Sequence, residues 1–336
     1  MATYYGTYGQ KVQYLASDPS DPQIGQVWYN STSATLKVRG FSTASWASGG
    51  NMPQPQGLNM GAGIQTAALT FGGFNDSTGS GGSVITQSYN GTSWSPAPNM
   101  NVATFGGDGC GTQGAAFKNG GYSASLGYQD RTETFNGSSW TAQTNSPRLV
   151  NTGTANGTNT AALVNGGYNG SSWSLSTLLW TGTSWTTGPS YTNPAAGAQG
   201  AGSAGTQTSA IVFGGFIPPA ASGIASQTYN GSAFSSAPNL NNPAYRSGAG
   251  TQTAALAFGQ GAPGGDSTFT ELYNGSSWTT QTGFSVARGD ANQNSATNAP
   301  STSALIFGGR PPGPGGTNST EEFTGAAAAT RTVTVS

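Results

Sequence analysis

The sequence predicts an all-β protein built from six copies of one four-stranded unit. Three observations support this prediction. A Gly-Gly pair, or a close variant of it, ends a short apolar run about every 47 residues along the 336-residue chain. An aromatic residue followed by Asn-Gly or Thr-Gly comes after each pair, and a second aromatic follows about five residues later. The units show no helical period, so helices are not expected.

The apolar runs predict the second strand of each unit. They read, for example, AALTFGG and SAIVFGG, and each is short and bounded by turn-forming residues. A short apolar run of this kind is typical of a strand that is buried on both faces. The first glycines of the six pairs are Gly72, Gly120, Gly166, Gly214, Gly259 and Gly308.

The aromatic residues predict the third and fourth strands. Those of the third strand are Tyr89, Phe135, Trp180, Tyr229, Tyr273 and Phe323. Asn-Gly tolerates positive φ at both central turn positions, so a two-residue hairpin is expected after them. Those of the fourth strand are Trp94, Trp140, Trp185, Phe234 and Trp278.

A polar residue seven positions before each first glycine marks the turn between the first and second strands. These residues are Gln65, Gln113, Asn159, Gln207, Gln252 and Ser301. Four antiparallel strands in 40–50 residues make the blade of a β-propeller, and blades bury their faces by stacking around an axis. The predicted fold is a six-bladed β-propeller with the large aromatics wedged between blades.

The sixth unit lacks a Trp after Phe323, whereas the segment from Phe41 to Trp46 precedes the first unit without an apolar run of its own. We expect this N-terminal segment to supply the missing strand of the last blade and close the ring, which leaves no free sheet edge. Pro19 and Pro22 mark a break near the start. The predicted division is therefore an attachment segment over 1–32 and the propeller over 33–336.

The composition excludes several functional classes. Charged residues make up 6% of the chain, so the cationic surface that nucleic-acid binding needs is not expected. There is no His, which excludes imidazole catalysis and His-ligated metals, and the one Cys, Cys110, cannot form an internal disulfide. We expect no cofactor and no metal. The sequence has no apolar stretch long enough to span a bilayer, and the start has no apolar signal core, so neither membrane insertion nor Sec-dependent export is expected.

The Gly-Gly pair, the aromatic after it and the later Trp resemble the kelch repeat over roughly residues 47 to 330. The chain also resembles kelch-like virion proteins of marine tailed bacteriophages in the sequence segments GTQTAALAFG, NGSSWT and RTVTVS. The segment Gly25–Gly40 resembles a hairpin near the start of phage structural proteins. The resemblance implies a place on the virion surface and contacts with other virion proteins through residues 1–40. For a fibre, analogy favours a homotrimer.

Catalysis is not expected. Kelch-like galactose oxidase needs His ligands for copper, and the Asn-Gly turns here lack the Asp of sialidase Asp-boxes. Glu133, Glu271 and Glu321 share one repeat position, which favours hydrogen bonding at a strand edge. The acids after the Gly pairs are expected to form turns; they are Asp76, Asp130 and Asp266. The arginines before the first strands are expected to form hydrogen bonds with loop carbonyls between blades; they are Arg148, Arg246 and Arg288.

The loops after the Gly pairs differ most between units, and variable loops on a rigid scaffold usually carry recognition. Aromatics beside amides and hydroxyls suit uncharged sugars. The candidate ligand-binding residues are Phe74, Tyr122, Tyr128, Tyr168, Trp173 and Phe216. The competing interpretation is that these side chains pack the loops against each other.

The function expected is a non-enzymatic virion protein, a tail fibre or appendage, that presents a propeller face to a host-surface glycan or receptor. A purely structural head-decoration or tail-connector protein is the alternative. A polysaccharide depolymerase, in which loop carboxylates from different blades form a catalytic pair, comes next, and a cellular kelch adaptor last.

Overall fold

A computed structural model describes residues 12–74, 81–192, 200–215, 223–243, 247–259, 267–288, 299–310 and 316–333. These residues form strands and turns, and no helix is present among them. The described part of the chain therefore offers no helix that could cross a membrane. The chain divides into two compact units, one containing the residues up to Ala44 and from Gly325, the other Ser45–Thr324.

The larger unit contains the six predicted blades in chain order, and the fold is that of a kelch-like β-propeller. Blade 1 consists of β5 (Met60–Ile64), β6 (Ala67–Phe71), β7 (Thr86–Tyr89) and β8 (Trp94–Ala97). Blade 2 consists of β9 (Asp108–Thr112), β10 (Ala115–Asn119), β13 (Thr132–Phe135) and β14 (Trp140–Ala142), with a small hairpin of β11 (Tyr122–Ser123) and β12 (Gly127–Tyr128) after its Gly pair. Blade 3 consists of β15 (Thr154–Thr158), β16 (Ala161–Asn165), β17 (Ser176–Trp180) and β18 (Trp185–Ser190).

The remaining blades repeat this order. Blade 4 consists of β19 (Gly202–Gly205), β20 (Ala210–Phe213), β21 (Ser226–Tyr229) and β22 (Phe234–Ala237). Blade 5 consists of β23 (Ser247–Thr251), β24 (Ala254–Phe258), β25 (Thr270–Tyr273) and β26 (Trp278–Gln281). Blade 6 has three described strands, β27 (Ser303–Phe307), β28 (Thr320–Thr324) and β4 (Ser45–Ser48).

The N-terminal strand of blade 6 is present, with different bounds. In β4, Trp46 is the antiparallel partner of Phe323 in β28, as expected. Phe41 is not part of this strand, because it lies in β3 (Thr35–Phe41) of the smaller unit and pairs with Ala328. Blade 1 also contacts blade 6, since the Trp94 indole nitrogen donates a hydrogen bond of 2.9 Å to the Thr320 hydroxyl.

Aromatic side chains between neighbouring blades form the core of the larger unit. In blade 2, Trp140 lies 4.9 Å from Phe71 of blade 1 and 5.2 Å from Phe135 of its own third strand, measured between ring centroids. In blade 5, Trp278 repeats this contact with Phe213 of blade 4 at 5.0 Å. The predicted wedging of large aromatics between blades is confirmed, and truncating such a buried Trp should cost about 3–5 kcal/mol of folding free energy.

The turns differ in part from the expectation. Tyr89 pairs directly with Trp94, so the hairpin loop has four residues instead of two. Only Gly91 has positive φ there, whereas the Asn90 side chain accepts hydrogen bonds from the backbone of Thr92 and Ser93. The Asn side chain therefore stabilises a longer turn by capping, which makes the predicted two-residue hairpin wrong.

The smaller unit is a sheet in the order β1 (Gln13–Leu15), β2 (Val27–Asn30), β3 (Thr35–Phe41) and β29 (Ala328–Thr332). Trp28 is fully buried, and its indole nitrogen donates to Asp18, which also forms an ion pair of 2.7 Å with Lys37. The hydrogen bond from Lys37 lowers the pKa of Asp18 to about 2. The unit differs from the predicted 1–32 segment because β3 pairs with the C-terminal strand β29, which removes both from the propeller.

Candidate functional site

The predicted ligand-binding residues lie in the loops at one end of the blades, between the second and third strands. Phe74, Tyr122 and Tyr168 each follow a Gly pair directly, and their backbones pair with Gly57, Phe105 and Asn151 of the chain entering the same blade. The same backbone pairing thus fixes the start of this loop in blades 1, 2 and 3. Phe216, which occupies this position in blade 4, lies outside the described residues.

Five of the six predicted side chains, joined by one that was not predicted, form a continuous row of rings across blades 1 to 3. We call this row the aromatic ladder, and it consists in order of Phe74, Phe105, Tyr122, Tyr128, Tyr168 and Trp173. Successive ring centroids are 5.9, 5.4, 5.0, 5.2 and 4.9 Å apart. These distances and the tilted or edge-on ring angles are those that aromatic pairs prefer.

Blades 2 and 3 each contribute a pair of rings on a short hairpin. Tyr122 and Tyr128 are cross-strand partners between β11 and β12, and Tyr168 forms a backbone bridge with Trp173. The contact between Tyr128 and Tyr168 links the two hairpins and therefore the two blades. The competing interpretation, that the rings pack the loops against each other, is thus correct for the contact between Tyr128 and Tyr168.

Phe105 was missed by the sequence analysis because it lies in the connection between blades 1 and 2, outside the variable loops. One signal could have found it: Phe105 stands directly before the glycine pair Gly106-Gly107, as Phe71 stands before Gly72-Gly73. Its backbone nitrogen donates to the Tyr122 carbonyl at 3.0 Å, and the Tyr122 nitrogen donates back at 2.8 Å.

The ladder is partly open to solvent and has amide and hydroxyl side chains in its loops. Phe74 is buried, the other five rings are half-buried, and the neighbouring Leu126 is 53% exposed. Asn169, in the loop between Tyr168 and Trp173, accepts hydrogen bonds from the backbone of Ser171 and Ser172. Burial raises the pKa of Tyr128 above its ordinary value.

A single side chain holds the base of the loop in two of the ladder's blades. In blade 3, Arg148 donates from Nη2 to the carbonyls of Gly166 and Ser176, at 2.8 and 3.0 Å, one at each end of the loop. In blade 1, Gln56 donates in the same way to the carbonyls of Gly72 and Ile85, at 2.6 and 3.2 Å. These bonds fix the loops that carry Phe74, Tyr168 and Trp173.

Blade 2 has a different support for its hairpin. Gln129 donates from Nε2 to the carbonyls of Leu126 and Gly127, at 3.1 and 3.0 Å. Arg131 in turn donates from Nε to the Gln129 side-chain oxygen at 3.1 Å. Tyr128 is therefore held by a residue adjacent to it in the chain.

The expected hydrogen bonds of the arginines to loop carbonyls are confirmed for Arg148 and Arg288, although both bond carbonyls of the blade they precede rather than bridging two blades. Arg288 donates to Gly308 and Ser319 and forms a buried ion pair of 3.0 Å with Glu321. Arg246 lies outside the described residues.

The structural role expected of the repeated glutamates is also confirmed. Glu133 accepts hydrogen bonds from the backbone and side chain of Asn101, Glu271 from those of Asn241, and Glu321 from Ser285. Asp130 accepts from the side chain of Asn145, which lies in the connection between blades 2 and 3. Asp76 and Asp266 lie outside the described residues.

Blades 2 and 3 also carry buried polar groups at a cross-strand position that is apolar in blade 1. The cross-strand pair Met60 and Phe71 of blade 1 is replaced in blade 2 by Asp108 and Asn119. Asp108 is fully buried, and both of its carboxyl oxygens lack a hydrogen-bond partner among the described residues, as does the Lys118 ammonium. Burial raises the pKa of Asp108 to about 8 and lowers that of Lys118 to about 8.

Within the described ranges, no three Cys, Asp or Glu side chains come close enough to hold a metal ion. Asp108 is enclosed by protein, whereas the ladder reaches the surface. Among the described residues, the part of this face that a ligand can reach therefore includes the aromatic rings of the ladder.

Comparison with known proteins supports the fold. The solved structure described as "Structure of YjhT" is similar to this chain with a TM-score of 0.64 and 14% sequence identity, covering 83% of this chain and 99% of that chain. No protein-family model matches the sequence. No curated protein is similar to it.

Proposed function

We propose that this protein is a non-enzymatic tail fibre or appendage of a phage virion, and that its aromatic ladder binds an uncharged glycan on the host surface. The observation that carries the proposal is the ladder itself. Five half-buried rings in a continuous row present apolar surface to solvent beside amides and hydroxyls. Sugar rings bind such surfaces by stacking their C–H faces on aromatics and by neutral hydrogen bonds.

The rigidity of the ladder supports a role in binding. Arg148, Gln56 and Gln129 fix the loop bases before any ligand arrives, so little conformational entropy is lost when one binds. Loops that only covered the blade ends would not need half-exposed rings in a row over three blades. The near-zero net charge of −1 favours a neutral partner over a charged one.

The attachment role is assigned to the smaller unit. Its sheet has two edge strands, β1 and β29, and an exposed aromatic, Tyr14, which is 75% exposed. Edge strands and exposed apolar side chains are features by which sheets bind other proteins. The same features favour the second candidate function, a purely structural decoration or connector protein, in which the ladder would bind nothing.

The test is binding of the purified chain to immobilised uncharged and anionic oligosaccharides, with Tyr168→Ala and Trp173→Ala as variants. Phe269→Ala is the matched control, because Phe269 precedes a third strand in blade 5 and is 44% exposed. We expect binding to at least one uncharged oligosaccharide, weakened about tenfold by each ladder variant, which corresponds to about 1.4 kcal/mol. The control should bind like the unaltered protein.

Three outcomes would contradict the proposal. Equal binding by the ladder variants and the control would place any glycan elsewhere. No binding to any oligosaccharide, together with stoichiometric incorporation into phage particles, would favour the structural alternative. Shortening of the oligosaccharide during incubation would indicate a depolymerase.

A further inference from the structure

A cavity lies at the end of the blades opposite to the ladder. Its volume is about 610 Å³, and it is formed where the turns between the first and second strands of blades 3, 4 and 5 meet. Because neighbouring strands are antiparallel, these turns and the ladder loops lie at opposite ends of the blades. We call it the turn cavity, and it is lined by Gly157, Thr158, Ala161, the run Gly205–Ser209 and the run Gly250–Thr253.

Glycines leave the backbone of this cavity bare. Gly157, Gly205 and Gly250 have φ values of 109°, 114° and 111°, in the left-handed region that residues with side chains rarely adopt. A Cβ at any of these glycines would also collide with the backbone carbonyl oxygen of the residue four positions later in the chain. Three equivalent turns thus present Cα hydrogens in place of side chains.

Three polar side chains of these turns form hydrogen bonds within the protein. Gln207 donates from Nε2 to the carbonyls of Ala162 and Trp180 in blade 3, at 3.0 and 2.6 Å. Gln252 makes the equivalent bonds to blade 4. The Thr206 hydroxyl accepts a hydrogen bond from the Ser209 nitrogen at 3.2 Å.

The lining of the cavity is mainly apolar, and threonine and serine hydroxyls contribute the remainder. No charged residue lines the cavity. A sugar would leave several hydroxyls without partners here, which costs free energy on burial, so this cavity differs in chemistry from the ladder.

We infer that the turn cavity binds an uncharged and mainly apolar group, such as an aromatic ring system. A side chain of a partner protein and a free small molecule can each supply such a group. Its volume lies within the range of ligand pockets, and its walls are formed before binding by fixed turns. The inference concerns the opposite face and does not depend on the proposed function.

The test uses two probes, N-acetyl-L-tryptophanamide and indole, measured by calorimetry and by saturation-transfer NMR. Thr206→Asp places a charge in the cavity, while its carboxylate can still accept the hydrogen bond from Ser209. Thr112→Asp is the matched control, since Thr112 holds the same turn position in blade 2, is exposed and does not line the cavity. We expect both probes to bind and compete, and Thr206→Asp to weaken them at least about tenfold.

Thr112→Asp and the ladder variant Tyr168→Ala should leave probe binding unchanged. Tighter binding of the capped amino acid would support a side chain of a partner protein, and tighter binding of indole would support a free small molecule. Failure of both probes to bind, or equal weakening by Thr206→Asp and Thr112→Asp, would overturn the inference. Because glycan binding is measured separately, its failure would leave this result standing.

Discussion

Tyr128 and Tyr168 connect blades 2 and 3 through an edge-on ring contact of 5.2 Å between centroids. Each ring also contacts a second aromatic in its own loop, Tyr122 and Trp173 respectively. The two blades thus share one aromatic surface, although their loops have unrelated sequences.

The first prediction concerns Arg148 as a positioning residue. Lysine carries a compact charge without the planar donor fork of arginine, so Arg148→Lys should lose one of the two carbonyl bonds at the loop base. We expect faster amide hydrogen exchange between Gly167 and Leu175, weaker glycan binding and a loss of about 2 kcal/mol of unfolding free energy. Arg288→Lys is the control, and it should loosen the loop of blade 6 without affecting glycan binding.

Unchanged exchange in the blade 3 loop of the Arg148→Lys variant would show that the arginine does not hold it. Rescue can be tested with Arg148→Gln, because Gln56 performs the same task in blade 1. The glutamine variant should restore part of the protection.

The second prediction concerns the buried carboxyl of Asp108, whose pKa is raised from 3.8 to about 8 by burial. Between these values the folded state keeps the proton that the unfolded chain releases, so the stability contribution of this group is full below about pH 4 and is lost as pH rises to about 8. Arg148, Lys118, Tyr191 and Cys110 interact electrostatically with it.

Asp108→Asn should flatten this dependence, which denaturant unfolding at several pH values between 4 and 8 can measure. The variant should gain most relative to the unaltered protein near pH 8. Lys118, with a pKa lowered from 10.5 to about 8, affects stability only above that range, where rising pH favours the folded state. Identical pH profiles for the two proteins would contradict the prediction.

The third prediction concerns backbone strain where the chain enters blade 3. Thr152 has a φ of 55°, which is an outlier for a β-branched residue, and its nitrogen donates to the Gly106 carbonyl at 2.6 Å. Gly106 and Gly200, one repeat before and after it, have φ values of 65° and 61°. Thr152→Gly should therefore stabilise the protein by about 1 kcal/mol. Thr279→Gly, at an exposed position of β26, should instead destabilise it by a similar amount.

The fourth prediction concerns Gly57, which lies beneath the Phe74 ring. A Cβ at this position would come within 2.5 Å of the ring, so Gly57→Ala should displace Phe74 from the end of the ladder. We expect a weaker effect on glycan binding than for Tyr168→Ala, because Phe74 is buried and terminal. Upfield-shifted ring resonances of Phe74 report the displacement, and an unaltered Phe74 spectrum would contradict it.

Much of the fold could be predicted from the sequence because three kinds of residue recur in register. The Gly pairs, the third-strand aromatics and the Trp residues mark strands whose burial depends on local spacing. A strand over Phe41 to Trp46 was predicted from a missing Trp, and the pairing of Trp46 with Phe323 confirms that reasoning for Trp46 but not for Phe41.

Other features depend on contacts between distant residues. Phe41 pairs with Ala328, and nothing near either residue in the sequence indicates that β3 and β29 form one sheet. Phe105 joins the ladder only because the chain entering blade 2 runs beside its loop. The four-residue turns arise because Asn side-chain capping competes with the positive φ values that a shorter hairpin needs.

The proposed function requires that the ladder face binds an uncharged glycan. The most direct measurement is an NMR titration of protein labelled at its aromatic residues, using the oligosaccharide found by array binding, at low and high salt. We expect shifts in Tyr122, Tyr128, Tyr168 and Trp173 with little change in affinity with salt, because screening affects only charged contacts. Shifts confined to residues outside the ladder, or affinity that falls steeply with salt, would contradict the claim.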